Sequence, residues 1–355
     1  MTAPLSDARK IEIIRQYQEL GVMSVREAAR KLELPHSTLR GVLSNPPPEI
    51  SYSPPIQTPT HSFPSLPEDD LPVEEIIALR AREFAQKRAR EEAAKLIPIQ
   101  IKIHGPIGIL HFGDPHLDDD GTDIGEAFRH AELTRTVDGL FGANLGDTTN
   151  NWVGRLARLY ADQNMGRKRA VKVAEHFIKS ARWLYIIAGN HDMWSGSDDP
   201  IKWIASGCNS FYAPSEIRCE LRFPKGDPFR INARHDFAGH SQWNPVHGLM
   251  KAFQMGFRDH LFVAGHKHES GYGMLKDCDS GIAGQMVRVA SYKIYDRYAK
   301  ERGFRDNSFG PACVTVIDPM LPDTHPDRCK VFWDVDEGVR YLQFKRGQNA
   351  RSVAA

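Results

Sequence analysis

Two short runs carry the side chains from which a metal site is built: Gly189-Asn190-His191-Asp192 and Gly265-His266-Lys267-His268. Each follows an apolar stretch, Trp183 to Ala188 in one case and Leu261 to Ala264 in the other. Three further stretches repeat this grammar. Ile107 to Phe112 leads into Gly113-Asp114-Pro115-His116, Leu140 to Leu145 into Gly146-Asp147, and Phe229 to Arg234 into His235-Asp236. Asp, Asn and neutral His are the mixed oxygen and nitrogen donors that divalent metals accept, and two metals about 3.5–4 Å apart need one anionic group between them. A lone DxH or GD occurs by chance in many chains, whereas the ordered set DxH, GD, GNHD, H, GHxH is specific.

Residues so placed need elements that bring them to one rim. Short apolar runs ending in Gly and then ligand-type side chains predict buried strands that deliver a site at their C-terminal ends. Helix-like stretches fall between them, at Ile124 to Thr136, Val153 to Asn164 and Arg167 to Ser180. That alternation predicts an α/β architecture with helices covering the sheets. Ile97, Ile99, Ile101 and Ile103 alternate as in a half-buried strand, and Val287 to Tyr292, Ala312 to Ile317 and Lys330 to Val335 also predict strands. The domain is expected over 97–345, with a frayed tail over 346–355.

These motifs together resemble the calcineurin-like metallophosphoesterase family, whose pattern is DxH, GDxx(D/N), GNH(D/E), H and GHxH. The resemblance implies an αββα sandwich with a dinuclear site at the sheet ends. Asp114, His116 and His268 would hold one metal, Asn190, His235 and His266 the other, and Asp147 would bridge. It implies two divalent ions, manganese first, with zinc, iron or nickel as alternatives, and a hydroxide between them as nucleophile. His191 would stabilise the transition state or protonate the leaving oxygen, with Asp192 orienting its imidazole. Asn150 stands where the second motif often has Asp. His240 competes with His235 for the fourth motif. His104, His130, His176, His260 and His325 read as ordinary surface or core groups, Asp118-Asp119-Asp120-Gly121 as a solvated acidic loop, and Arg155, Arg158, Arg167, Lys168 and Arg169 as a charged helix face.

The segment 1–44 is different. Ile11, Ile14, Tyr17 and Leu20 recur at helical spacing up to Gly21, and Ser24-Val25-Arg26-Glu27 is a capping box that starts a second helix. A third short helix follows Glu33-Leu34-Pro35. The arrangement A-A-x-x-L-x-L-P-x-S-T-L-R resembles the helix-turn-helix of DNA-binding regulators, which would place His36, Ser37, Thr38 and Arg40 on the exposed side of a recognition helix. Glu33 departs from the pattern, since Gly commonly permits that turn. Residues 45–72, dense in proline, predict an extended tether. Val73 to Leu96 predicts a charged helix with Glu83/Lys87 and Glu91/Lys95 at i,i+4, its imperfect apolar stripe expected to dock on the next domain.

Composition narrows the rest. The chain has 355 residues, 41% apolar and 26% charged, with a net charge of +1, so it exerts no global pull on nucleic acid or membrane and any such binding must be local. No apolar run approaches a membrane span, and Met1 to Lys10 does not read as a secretion signal. Five cysteines, never spaced as CxxC, predict neither a disulfide framework nor a cysteine zinc site and favour a cytoplasmic location. The expected activity is hydrolysis of a phosphoester, a phosphodiester in nucleic acid if the head binds DNA. The alternatives are a phosphomonoesterase acting on a small molecule or phosphoprotein, and a DNA-binding regulator or scaffold with a structural or sensory metal domain.

Overall fold

The computed structural model describes residues 4–21, 23–48, 64, 70–152, 154–161, 163–193, 199–301, 303 and 309–354. The expected tether lies largely outside them, as does the side chain of Arg155. The chain divides into two compact units, Met1–Ala78 and Leu79–Ala355.

In the first unit, helices α1 (Asp7–Glu19), α2 (Val25–Lys31) and α3 (His36–Ser44) close around Ile13, Ile14, Tyr17, Ala28, Ala29, Leu39 and Val42. Ser24 Oγ accepts the Glu27 N–H at 3.2 Å, which satisfies one of the open donors of the first turn of α2. Glu33 takes φ +52°, so the turn before α3 is made without glycine, at a steric cost of about 1–2 kcal/mol. His36, Ser37 and Arg40 are exposed and Thr38 half-buried, while Leu39 points into the core.

Helix α4 (Val73–Ala94) forms as expected, but none of its residues is buried, and Ile77 and Phe84 are 62% and 66% exposed. The docked stripe expected from sequence is therefore not formed. Arg80, Arg82, Glu83, Lys87 and Arg88 interrupt it, and ion pairs at i,i+3, Arg80 with Glu83 and Glu92 with Lys95, form where i,i+4 pairs were expected.

The second unit continues with β1 (Ile97–Gln100), β2 (Ile107–Phe112), α5 (Ile124–Thr136), β3 (Leu140–Asn144) and a 3-10 segment at Gly154–Ala161. Then follow α6 (Arg167–Lys179), β4 (Trp183–Ile187), α7 (Asn190–Met193), α8 (Pro200–Ser206), β5 (Phe211–Ala213), β6 (Glu216–Arg222) and β7 (Phe229–Arg234). The chain ends with α9 (His247–Met255), β8 (Leu261–Ala264), β9 (Gly271–Lys276), β10 (Ala283–Arg288), α10 (Arg297–Glu301), β11 (Ala312–Ile317), β12 (Cys329–Phe332) and α11 (Val335–Ala354).

Two six-stranded sheets result, ordered β12-β11-β2-β3-β4-β5 and β1-β6-β7-β8-β10-β9. Successive side chains on a strand face opposite ways, and the packing follows that period. Ile109, Tyr185, Ile231 and Val263 meet between the sheets. Their neighbours Leu110 and Ile186 pack outward with Ala127, Phe177 and Leu342 of helices α5, α6 and α11, while Phe262 packs against Leu249 and Phe253 of α9. The architecture is thus the expected αββα sandwich. Strands β2, β3 and β4 are parallel, as are β7 and β8, so the loops after them open together within each sheet. Among the described residues, no helix is long and apolar enough to cross a membrane.

Three boundaries differ from the sequence reading. The strand expected at Val287 to Tyr292 is β10, which ends at Arg288; beyond it Ser291 Oγ and the Tyr292 N–H both donate to the Asp114 carbonyl. Those residues leave the sheet because they brace the first ligand loop. The strand expected to reach Val335 stops at Phe332, since Asp334 Oδ1 accepts the Glu337 N–H and starts α11. The tail from Arg346 is helical to Ala354, and Arg346 donates to the Asp138 carboxylate and to the carbonyls of His104 and Pro106.

Candidate metal centre

The loops after β2, β3, β4, β7 and β8 carry Asp114 and His116, Asp147, Asn190 and His191, His235, and His266 and His268. Two groups form there. Asp114, His116 and His268 offer donor atoms within 4.8 Å of one another, as do Asp147, His235 and His266. Asn190 joins the second group, its Oδ1 lying 3.0 Å from His235 Nε2. His240, the competitor for the fourth motif, is exposed and in neither group.

Asp147 lies between the groups. Its Oδ1 accepts the backbone N–H of His191 at 2.9 Å, and its Oδ2 is 3.3 Å from His235 Nε2 and 4.0 Å from His116 Nε2. One oxygen is thereby fixed and the other left to both triads. The glycines of the motifs make this approach feasible: a Cβ on Gly189 would lie 2.0 Å from Asp147 Oδ1, and one on Gly265 would lie 2.5 Å from Asp114 Oδ1. No side chain larger than hydrogen fits at either place.

Tautomers and charge fit a pair of cations. The His235 Nδ1–H donates to the Leu145 carbonyl at 2.8 Å, so its Nε2 presents a lone pair. That lone pair faces Asn190 Oδ1, Asp147 Oδ2 and, at 3.0 Å, His266 Nδ1. His116 Nε2 and His268 Nε2 likewise face each other at 3.2 Å, with Asp114 Oδ2 3.3 Å from the latter. Acceptors gathered in this way repel unless something positive sits among them. Burial opposes a proton on His235, yet the Asp147 and Asp114 carboxylates outweigh it and push its pKa up to about 10, so that Nε2 carries a proton in the metal-free site and frees its lone pair when a divalent cation takes the proton's place. Burial likewise opposes charge on Asp147, and His235, His191 and His116 overcome it, holding the carboxyl below its usual range. Burial keeps His116 well below the usual imidazole value, hence neutral and able to ligate. Both oxygens of Asp114 are buried without a hydrogen-bond partner, an arrangement a bound cation relieves. The residues present therefore fit two divalent ions.

Beside this pair stands His191, its side chain 13% exposed and its Nε2 3.9 Å from Asp147 Oδ2. Its Nδ1–H donates to the Asn150 carbonyl, and its ring meets the edges of His116 and Trp152 with centroids 5.2 Å away in each case. Asn150, not Asp192, orients this imidazole. Adjacent residues on a helical turn do not face each other, and Asp192 points inward from α7, accepting the N–H groups of Thr148 and Gly189 at 3.0 and 2.9 Å. It ties the loop after β3 to the loop after β4. Burial, then the Asp147 charge, raise its pKa to about 8.

Sequence reasoning missed the surrounding polar frame. Asp118 is buried, accepting the Asn150 N–H at 2.7 Å and Gln163 Nε2 at 2.7 Å, so the acidic run is not a solvated loop. Asp119 accepts Asn150 Nδ2 at 2.8 Å and pairs with Lys293 Nζ at 2.9 Å. Lys293 is 4% exposed, also pairs with Asp296 at 3.2 Å, and lies over the Trp152 ring. Asp296 in turn is 3.9 Å from His268 Nδ1. The only available sequence signal was a charge inside an apolar run, as with Arg288 in Met286-Val287-Arg288-Val289-Ala290. Arg158, Arg167, Lys168 and Arg169 remain an exposed charged face.

No family model matches the sequence, and no curated protein matches it. Among solved structures the chain is similar to GAP50, the anchor in the inner membrane complex of Plasmodium, at 11% identity over 61% of this chain and 82% of that one, with a TM-score of 0.31. A likeness that loose says nothing of activity. What the geometry gives is an αββα sandwich with a His/Asp site of dinuclear type at its strand ends.

Proposed function

We propose that this protein is a dinuclear-metal phosphoesterase whose substrate is a phosphodiester in nucleic acid. The observation that carries the catalytic half is the placement of Asp147 between two His/Asp triads, with the unpartnered carboxylate of Asp114 beside it. Asp114, His116 and His268 would hold one ion, Asn190, His235 and His266 the other, and Asp147 both. Two ions so held supply Lewis acidity at a phosphoryl oxygen and lower the pKa of water. The chain's own residues do the remainder. His191, its Nδ1–H held by the Asn150 carbonyl, presents Nε2 beside the site and, as the imidazolium, gives the Nε2 proton to the departing oxygen and is left neutral. Trp152 and His116 hold the ring from its sides and limit access of water to it. Manganese is the proposed ion, suited by the carboxylate and amide oxygens, while the four imidazoles admit zinc, iron or nickel as well.

The nucleic-acid half rests on the first unit. His36, Ser37 and Arg40 are exposed on α3, with Thr38 at its edge, the side on which a recognition helix meets base edges and phosphates. A head on a tether raises the local concentration of DNA around a catalytic unit without new contacts at the site. The test is a panel of the purified chain, metal-free and reloaded with manganese, against single- and double-stranded DNA, RNA, a bis-aryl phosphodiester and an aryl phosphomonoester. Metal-dependent cleavage of the diesters is expected. Turnover of the monoester alone would remove the nucleic-acid reading, and no hydrolysis with any divalent ion would remove the phosphoesterase reading.

A further inference from the structure

Arg288 closes β10 and is fully buried, yet it belongs to neither triad. Its guanidinium donates in three directions: Nε to the Pro245 carbonyl at 2.7 Å, Nη1 to the Gly265 carbonyl at 2.6 Å, and Nη2 to Asp236 Oδ1 at 2.8 Å. Gly265 immediately precedes His266, and Asp236 immediately follows His235. The same two loops also meet directly, the Gly265 N–H donating to the His235 carbonyl at 3.2 Å. The third contact, Pro245, ends the loop that leads from Asp236 to α9. One rigid planar cation thus ties the turn before His266 to the residue after His235, the two histidines of a single metal position; among the described residues its hydrogen bonds do not reach Asp114, His116 or His268, although His268 shares the loop that Gly265 opens.

A planar fork with fixed donor directions suits this task, because it specifies angles as well as distances. Lysine at the same place would bring a point charge and could not satisfy three divergent acceptors at once. We propose that Arg288 is a positioning residue that sets occupancy of the Asn190/His235/His266 position selectively, leaving the Asp114/His116/His268 position to the Asp119–Lys293–Asp296 frame. The proposal rests on the metal reading above. It goes beyond it by making the two positions separately tunable through one side chain outside both.

The experiment is metal titration of the full chain, stripped and reloaded with Mn(II), followed by calorimetry and elemental analysis, with Co(II) absorption reporting coordination. Wild type is expected to take up two ions. Arg288→Gln is expected to keep one at wild-type affinity and to bind the second about 10–100-fold more weakly, the usual loss when an outer partner of a metal ligand is removed. Asp236→Asn, which removes the carboxylate charge while keeping an oxygen for the buried arginine, is expected to weaken the same ion by a smaller factor. Arg328→Gln is the control: an equally buried arginine that donates to the Asp227 and Pro228 carbonyls away from the site, it is expected to lower melting temperature with both affinities kept. In a His235→Ala background Arg288→Gln should change nothing further, and in a His268→Ala background it should weaken the remaining ion. Equal weakening of both ions in Arg288→Gln, or the same pattern in Arg328→Gln, would overturn the proposal alone. A wild-type chain that took up no ion would overturn the metal reading and the proposal with it.

Discussion

Replacing His191 by alanine tests the catalytic assignment most directly. The imidazole is held by the Asn150 carbonyl at Nδ1 and flanked by His116 and Trp152, so its orientation is settled before substrate arrives. General acid catalysis contributes about 10²–10⁴-fold, which at about 1.4 kcal/mol per decade is roughly 3–5.5 kcal/mol of barrier. Because the ring is fixed rather than mobile, the upper half of that range, about 10³–10⁴-fold in kcat, is the expected loss for a substrate with a poor leaving group. A nitrophenolate leaves without much help from an acid, so the loss there should be about tenfold. His191 is in neither triad, and both ions should remain at wild-type content. Rates on an alkyl and an aryl diester, measured with metal content on the same samples, decide the matter. An equal loss on both substrates would refute the acid role, and loss of an ion would show His191 to be a ligand.

Three further outcomes are expected. His235→Ala should empty or weaken one metal position while His240→Ala leaves both intact, as elemental analysis would show; the reverse result would exchange their roles. Deleting Met1 to Pro72 should leave turnover of a small aryl diester nearly unchanged and weaken action on long DNA through apparent affinity, most visibly at low enzyme concentration and at low salt, where the head binds best; Arg40→Ala should reproduce part of that loss, and equal cutting of long DNA at every salt concentration would end the tether reading. The third concerns acid. His111, His130 and His260 are buried, and burial lowers their pKa values to about 3, about 4 and about 4 from an ordinary 6.5. With the folded values depressed, the stability these neutral rings leave intact above pH 6.5 is lost as pH falls toward 4 and 3. His111 alone accounts for on the order of 5 kcal/mol across that window. His111→Leu should flatten the acid limb of melting temperature against pH, and parallel limbs for wild type and variant would refute the argument.

The strand ends were legible because the residues that build them are constrained twice. Strands β2, β4 and β8 are buried along their whole length, so they show in sequence as apolar runs, unbroken in β4 and β8 and broken in β2 by the buried His111, and each ends where polar side chains begin. The glycines between run and ligand were legible for the same reason, since the space the missing Cβ leaves is filled by a carboxylate oxygen of another motif at Gly189 and Gly265 and by backbone atoms at Gly113 and Gly146. What hid was the polar frame behind the ligands, made by residues far apart in the chain and outside the motifs. Asn150 lies 41 positions from the histidine it orients, and Arg288 lies 52 from Asp236. Adjacency in sequence misled in the one case where it was used: Asp192 follows His191 and was read as its partner, but a helical turn sends the two side chains apart. The exposed stripe of α4 failed for a related reason, because an apolar pattern shows that a face could be buried and not that anything covers it.

Backbone conformation carries the argument one step further than side-chain type. Among the described residues other than glycine, those with positive φ are Glu33, His116, Asp147, Asn151, His266 and His268. Four of these are proposed metal ligands, and Asn151 lies beside the carbonyl that holds His191. Each such residue costs of order 1–3 kcal/mol and persists only where its surroundings over-determine it. The surroundings here are identifiable: the His116 N–H donates to the Asp147 carbonyl at 3.0 Å, Thr122 Oγ1 donates to the His116 carbonyl at 2.9 Å, and Arg288 holds the turn before His266. A left-handed residue turns its side chain across the path of the chain, which lets a loop leaving a strand aim a ligand back over the strand end. The sandwich thus does more than gather five loops. Its buried polar frame bends them into a conformation they would not keep alone, and it is this bend, invisible in residue types, that converts a row of strand ends into a site where seven side chains meet around two points.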